Sequence, residues 1–483
     1  MKTIDRLRLT PLVASLMAVA TAHAQQAPTP ADPPKTPEAK ESVIVNGYRA
    51  SIDSALNAKR EDNGIVDVIK AEDIAKFPDT NLAESLQRVP GVVIDRDAGE
   101  GRNITVRGLG GDFTRVRING VEALATTGGT DSSGGNNRSR AFDFNVFASD
   151  LFSTIVVRKS SSADVDEGSL GATVDLYTAH PFDFKEFTAT ASLVGRYNDL
   201  AQQTDPMGAF LISNTFMDRK VGVMISGAYS KRHLFEEGFS TVRWDNGPSS
   251  GGWCSPQGVT PANPAGSTAT TCGPAAQGVS RLPNTPDNLA AYTAASDPNN
   301  FAPRLPRYGR LTHDQERTGF AGSLQFRPQS TTLFTFDYLY SKLDATRHED
   351  FLEALSFSRT AGQGGKPQTS VVSTGYSSNG ALQYGVYNGV DIRAESRYDE
   401  LHTTFTQPTL TLEHEFNDWV KLNALVGRSD SKFRNPVQTT TTLDALNVNN
   451  YQIDFRSSDR LPNIVYPFDV TRLGPLQIIG VPV

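Results

Sequence analysis

The chain has 483 residues, with 46 Lys and Arg against 53 Asp and Glu, a formal net charge of −7, and 38% hydrophobic residues. An acidic balance without a basic stripe excludes a nucleic-acid binder. No run of about 18 or more apolar residues occurs, which excludes a transmembrane helix but not transmembrane strands, whose lipid-facing and lumen-facing residues alternate.

The first 24 residues read as an export signal. Lys2, Arg6 and Arg8 make a positive start, an apolar stretch runs from Leu9 to Ala20, and Ala22-His23-Ala24 is a small-x-small cleavage site. Residues 25–40 are rich in Pro, Ala and charge and are expected to be a disordered linker. Directly after it, Val43, Ile44 and Val45 form a short β-prone run. A lone strand on a flexible tether suits addition to the sheet edge of a partner; it equally suits the first strand of the following domain.

Residues 61–180 carry the pattern of a small mixed α/β domain. The run 65–69 is strand-like, and AEDIAKF forms a short helical turn stopped by Pro78. Asn81-x-x-Glu84 opens a helix with Leu82, Leu86 and Val89 on its inner face, closed by Pro90-Gly91. VVIDR, NITVRG, RVRING, TIVVRK and ATVDLYT follow as short strands between glycine-rich turns. The Gly- and Ser-rich stretch 126–140 is expected to be a mobile loop.

From Phe187 onward the period changes to long alternating strands. Phe320, Gly322, Leu324 and Phe326 alternate with Ala321, Ser323 and Gln325; Phe334, Phe336, Tyr338 and Tyr340 alternate with Thr335, Asp337 and Leu339. Segments of about ten residues with period two have the length to cross a bilayer at a tilt. Short joints follow Phe216, Phe326 and Phe416, while the segments 232–315 and 344–399 read as long loops. Short turns on one side and long loops on the other are the asymmetry of an outer-membrane barrel. Cys254 and Cys272, the two cysteines, lie in the first long loop. In an exported protein they are expected to form a disulfide.

The stretches FPDTNLAESLQRVPGVVIDRDAGEGRNITVRGLGGDFTRVRINGVEA and FDFNVFASDLFSTIVVRKSSSADVDEGSLGATVDLYTAHPFD resemble the plug of TonB-dependent outer-membrane receptors, in particular a proteobacterial branch with many carbohydrate-linked members. Several separated motifs occur in order over residues 41–180, with Gly108, Gly120, Glu167, Gly168 and Gly171 among the motif positions. The resemblance implies a mixed α/β plug domain followed by an antiparallel transmembrane β-barrel. Under it, Glu41, Ser42, Val43, Ile44 and Val45, extending to Tyr48, look like the TonB box. Arg107 in VRG and Arg158 in VVRK match arginines that pair with acidic residues of the barrel wall in that family. They are expected to act as a plug–barrel latch, since a desolvated arginine needs a partner. Glu100, Arg102, Arg115 and Arg117 sit on the same charged strands.

Two departures from the family pattern matter. Arg158-Lys159-Ser160-Ser161 stands where the wider family carries a Gly-Pro pair. Residues 181–483 hold about seven or eight strands, against about 22 in the family barrel. The barrel is therefore expected to be incomplete, and LQIIGVPV lacks a terminal aromatic residue.

The implied function is energised uptake across the cell outer membrane, with no catalytic, cofactor or metal site. The implied partners are the periplasmic domain of TonB with the inner-membrane ExbB/ExbD complex, outer-membrane lipid, and a small-molecule or oligosaccharide ligand. An oligosaccharide is favoured over a siderophore by the branch, and Trp244, Trp253, Tyr292, Tyr376 and Tyr384 in the long loops are candidate stacking platforms. A non-transporting surface signalling or adhesive protein is the competing class; the short segment 25–40 leaves no room there for a signalling domain. An enzyme is disfavoured. Gly108-Leu109-Gly110-Gly111 lacks the ending of a phosphate loop, Asp164, Asp166 and Glu167 lack a calcium-loop repeat, and no nucleophile triad has a motif context.

Overall fold

The computed structural model describes residues 46–71, 81–127, 140–163, 165–167, 169–247, 252–260, 267–273, 278–355, 369–472 and 477–480. The export signal, the linker, and Glu41, Ser42, Val43, Ile44 and Val45 lie outside the described residues, as does Gly168.

The described chain starts with a helix, α1 (Asn46–Glu61), that the periodicity did not announce. It takes in Asn46 to Tyr48, the last three positions of the segment that resembles a TonB box. Its apolar content is thin, and it is held instead by hydroxyls: Ser51 Oγ donates to the Lys70 carbonyl at 2.8 Å and Lys70 Nζ donates to Ser54 Oγ at 2.7 Å. Strands β1 (Val66–Lys70), β2 (Val92–Asp97), β3 (Glu100–Val106), β4 (Thr114–Ile118), β5 (Val121–Glu122), β6 (Phe152–Arg158) and β7 (Ala172–Thr178) make the N-terminal domain. Helix α2 (Leu82–Leu86) is capped by Asn81, whose side chain accepts from the Ala83 amide. Five strands form one sheet in the order β1-β6-β7-β4-β5, and β2-β3 is a separate hairpin.

Long strands follow: β8 (Thr188–Asn198), β9 (Gln203–Phe216) and β10 (Val221–Ser240). After the short loop strands β11 (Trp244–Asn246), β12 (Thr271–Cys272) and β13 (Val279–Ser280), helix α3 (Pro286–Ala295) and β14 (Phe301–Pro303), the chain re-enters the sheet as β15 (Arg307–Gln329) and β16 (Thr332–Ala354). Then come β17 (Ser370–Tyr376), β18 (Leu382–Asn388), β19 (Val390–Glu415), β20 (Lys421–Gly427), β21 (Asp430–Val448), β22 (Tyr451–Asp454), β23 (Asn463–Val465) and β24 (Gln477–Gly480). The main sheet has nine strands, in the order β24-β21-β19-β16-β15-β10-β9-β8 with β20 beside β19. All its pairings are antiparallel, and β8 and β24 stand at its two ends, so the sheet is not closed.

The two faces of this sheet differ as the period-two pattern requires. On one face Phe210, Ile212, Val223, Ile225, Phe320, Leu324, Phe326, Phe334, Phe336, Tyr338 and Leu410 are exposed. On the other, Ala209, Ala228, Ala321, Leu339 and Phe405 join the core of the N-terminal domain. The strands run further than their apolar alternation suggested: β10 pairs with β15 as far as Ser240–Arg307, and β16 with β19 as far as Ala354–Ile392. Beyond Phe320 and Tyr340 the outward face takes in charged residues such as Lys231, Glu316, Lys342 and Asp344, which erases the alternation while leaving the ladder intact. The loop segments between the long strands build a second core around Trp253, Tyr387 and Tyr451, with the sheet β17-β18-β22-β23 and helix α3. A separate small cluster of Cys254, Cys272 and Val279 holds the disulfide between the two cysteines, with Cα atoms 5.7 Å apart.

Candidate functional site: the interface between domain and wall

The β2-β3 hairpin carries its tip, Asp97 to Glu100, against the long strands. Ala98 (φ 48°) and Gly99 (φ 65°) both take the left-handed turn, a conformation glycine adopts without strain. The Glu100 carboxylate is buried and gathers three donors. Arg317 Nη2 on β15 lies 3.1 Å from each carboxylate oxygen, Arg232 Nη1 on β10 lies 3.4 Å away, and Asn81 Nδ2 lies 2.7 Å away. Burial alone would raise the Glu100 pKa; the Arg317 and Arg232 cations and the Asn81 hydrogen bond outweigh it and hold the carboxyl below its ordinary value. Asp97 adds a second tie, accepting from Arg347 Nη1 on β16 at 3.4 Å and from Arg102 Nη1 at 3.2 Å.

Arg102 stiffens the hairpin from behind. Its Nε and Nη2 donate to the fully buried Asp143 at 2.8 and 3.0 Å, and Asp143 also accepts from the Thr127 amide and from Asn103. Burial opposes the Arg102 charge, but Asp143 and Asp97 overcome it and raise its pKa. Wall side chains then bond to domain backbone. Arg317 Nε donates to the Asn145 carbonyl, Ser341 Oγ to Val146, Thr403 Oγ1 to Thr126, and Gln407 Nε2 to Ile118. Between these polar ties runs an apolar seam. Phe147 meets Phe405 edge-on at 4.9 Å, and Leu151 lies against Gly319, where no side chain intervenes.

The latch therefore runs opposite to the expected polarity. The carboxylates belong to the N-terminal domain and the arginines to the wall. Arg107 is exposed, sits in a left-handed turn (φ 55°), and has no ion-pair partner among the described residues. Its amide donates to the Gly91 carbonyl, so the position serves the turn. Arg158 pairs inside its own domain: its Nε lies 2.7 Å from Asp175 and its Nη1 2.9 Å from Asp62. Asp175 is fully buried and is shared with Arg117, whose Nε lies 2.6 Å away. Lys159 Nζ bonds Asp67 at 2.6 Å, and Lys59 Nζ of α1 bonds the same carboxylate at 2.7 Å. The Arg-Lys pair thus clamps the segment that follows α1 to the domain sheet. Arg115 lies 3.5 Å from Glu122.

The motif glycines have geometric reasons. Gly108 (φ 78°) follows Arg107 through the turn, and Gly120 (φ 84°) closes the β4-β5 hairpin after Asn119 (φ 46°). Gly171 donates its amide to the Phe113 carbonyl, and a Cβ there would sit 3.2 Å from that oxygen. Glu167 is exposed.

The exit from the domain is stapled too. His180 Nε2 lies 3.2 Å from Asp337 Oδ2 on β16, the Phe182 amide donates to Gln325, and Arg219 donates to the carbonyls of Phe182, Phe184 and Lys185. Burial lowers the His180 pKa, but Asp337 prevails and raises it.

The loop aromatics divide. Trp253 is buried, stacks on Tyr387 and donates to the Ala295 carbonyl, which corrects its reading as an accessible platform. Tyr292 and Tyr376 pack against the same core, Arg456 lies over the Tyr384 ring, and Trp244 remains exposed. Among the described residues no group of three or more His, Cys, Asp or Glu could hold a metal.

Residues 58–173 match the family model described as TonB-dependent Receptor Plug Domain. No curated protein matches the chain. Among solved structures, the siderophore receptor PirA from Acinetobacter baumannii aligns at 12% identity and TM-score 0.31, covering 82% of this chain and 60% of its own. The alcaligin outer-membrane receptor FauA from Bordetella pertussis aligns at 13% identity and TM-score 0.28, covering 82% and 62%. The ferric citrate transporter FecA, unliganded, aligns at 14% identity and TM-score 0.28, covering 85% and 68%. The chain spans about three-fifths of the length of the first structures it matches. The family-model match spans most of the N-terminal domain, from the end of α1 to the start of β7.

Proposed function

We propose that this chain, whose residues 58–173 form a TonB-dependent receptor plug, acts in energised uptake of a ligand across the outer membrane. The observation that carries this reading is the plug seated by buried charge pairs on one face of a sheet whose other face is an exposed apolar band. Such a band suits lipid, and such a latch holds a plug that must later move. In this reading Glu41 to Val45 is the TonB box. TonB adds it as a strand, main-chain hydrogen bonds carry the load, and tension passes through α1 to Asp62 and Asp67. Arg158 and Lys159 are the first contacts to receive it. The inner-membrane ExbB/ExbD complex would supply the work.

The ligand favoured is an oligosaccharide, on the resemblance of the plug motifs to the carbohydrate-linked branch. Trp244 and Tyr384 are the loop aromatics best placed to stack on a sugar. The solved structures above are named for a siderophore, for alcaligin and for ferric citrate, and at TM-scores of 0.31 and below they carry no argument about the ligand of this chain. The test deletes Glu41 to Val45 from the receptor in its native cell. Surface binding of labelled ligand should persist while accumulation stops; accumulation that survives the deletion rejects the box. Growth on a panel of oligosaccharides and iron chelates as sole carbon or iron source then separates the two ligand classes.

A further inference from the structure

Three wall arginines gather around the plug hairpin, and Glu100 engages only two of them. Arg317 gives Nε to the Asn145 carbonyl and Nη2 to Glu100, and Arg232 gives Nη1 to Glu100. Among the described residues Arg317 Nη1 and the Nε and Nη2 groups of Arg232 have no hydrogen-bond acceptor. Arg196 on β8 has less still. It stands opposite Asp205 on β9, but Asp205 Oδ2 accepts from the His233 amide at 2.9 Å and Oδ1 lies 2.5 Å from His233 Nδ1. Arg196 is left with one contact, from Nη2 to Met207 Sδ at 3.4 Å, and with no ion-pair partner among the described residues.

All three arginines line one cavity between plug and wall, together with Glu100, Asp150 and Met207. Its volume is about 20 Å³. A water needs about 10–15 Å³ of such space, so the cavity has room for one water-sized occupant. With both carboxylates ionised, the three guanidiniums still leave an excess of one positive charge, and Lys231 on the same lining adds to it. Burial raises the Asp150 pKa, so that carboxyl offsets the cations only weakly. A charge withdrawn from water without a counter-charge is costly, as is a buried N–H without an acceptor.

We propose that this cavity binds a single halide ion, chloride under ordinary conditions, and that the ion completes the seat of the plug on the wall. The occupant has to accept several N–H donors, carry one negative charge and fit the space of one water. A water fits but brings no charge. A phosphate, a carboxylate or a sugar brings acceptors but exceeds the space. A chloride among Arg196, Arg232 and Arg317 meets all three demands. It also explains how Arg196 is held without Asp205, its cross-strand neighbour. The site goes beyond the uptake reading and does not depend on it, since it stands on the contact between plug and wall alone.

The test uses the full chain purified in detergent with gluconate as the only small anion. Chloride then replaces gluconate at constant ionic strength, so that general screening stays fixed. Amide exchange in β2 and β3 should slow about tenfold when chloride reaches about ten times its dissociation constant, because an ion bound only to the seated plug suppresses opening in that proportion. The NMR line of chloride should broaden in the presence of the protein. Bromide should reverse the broadening, and sulfate, too large for the cavity, should not. Arg196→Gln removes the excess cation without breaking an ion pair, so the fold should survive while both chloride effects disappear. Arg107→Gln, at an exposed turn, should keep them. Equal exchange in chloride and gluconate overturns the proposal and leaves water as the occupant. Reversal by sulfate overturns it in favour of loose surface binding, and full chloride effects in Arg196→Gln overturn the assignment to this cavity. The anion comparisons on the parent chain decide the matter even where the variant does not fold.

Discussion

Glu100 of the plug hairpin and Arg317 of the wall, 217 residues apart in sequence, meet with both carboxylate oxygens 3.1 Å from one guanidinium nitrogen. Both side chains are buried. Removing one member of such a pair leaves an uncompensated charge, at a cost of about 3–5 kcal/mol. Glu100→Ala and Arg317→Met should each destabilise the plug–wall contact by that order. The double variant should cost less than the sum, because it leaves neither charge alone. Denaturant unfolding of the four proteins checks this; strict additivity would show the pair to be uncoupled. Arg107→Gln, at an exposed turn, should stay within about 0.5 kcal/mol of the parent.

The two titratable ties respond to pH with opposite signs. The Glu100 pKa is depressed in the folded protein. Its stabilisation is therefore complete above the unfolded value near 4.5 and fades as pH falls through the lower folded value. The His180 pKa is raised from 6.5. Its pairing with Asp337 is complete below that value and is lost as pH rises through the folded one. Hydrogen exchange at the β7–β8 connection should accelerate with alkaline pH beyond the ordinary chemical dependence. His180→Gln should abolish that excess, and an unchanged excess in the variant would remove His180 as its source.

Much of this architecture was legible, and the losses have physical causes. Period two exposed the long strands wherever one face is apolar, as at Phe320 to Phe326, and Asn81 announced its helix through a local cap. The strand tops were read as loops because Glu316, Asp344 and Lys231 put charge on the face that signals lipid below. Helix α1 was missed because hydrogen bonds of Ser51 and Ser54 with Lys70, rather than an apolar stripe, hold it. The latch was placed on Arg107 and Arg158 because a motif names a residue but not its partner. The carboxylate at Glu100 acquires its meaning only when β10 and β15 bring Arg232 and Arg317 beside it.

The clamp behind α1 should be separable from the latch at the hairpin. Arg158 bridges Asp62 to the buried Asp175, and Lys159 bridges Asp67 to the Pro90 carbonyl. Arg158→Gln with Lys159→Gln should raise amide exchange across residues 46–70 by at least tenfold, while β2 and β3 keep their protection. Asp175→Asn should do more, since it removes the carboxylate common to Arg117 and Arg158 inside the sheet. Equal acceleration in the hairpin would mean that the two regions open as one unit.

The apolar seam gives the last test, because it depends on the absence of a side chain. Leu151 occupies the space above Gly319, and a Cβ on that glycine would collide with its δ-methyl. Gly319 faces the plug in β15 between Arg317 and Ala321, both of which contact it. Gly319→Val should therefore push Leu151 out of register with the wall and strain the neighbouring Arg317–Glu100 pair. Overpacking of this kind costs about 1–3 kcal/mol. The companion change Leu151→Ala should restore much of the loss, since it vacates the volume the valine needs. A thermal melt of the single and double variants decides it: a double variant no more stable than Gly319→Val would show that the glycine serves the strand itself rather than the contact with the plug.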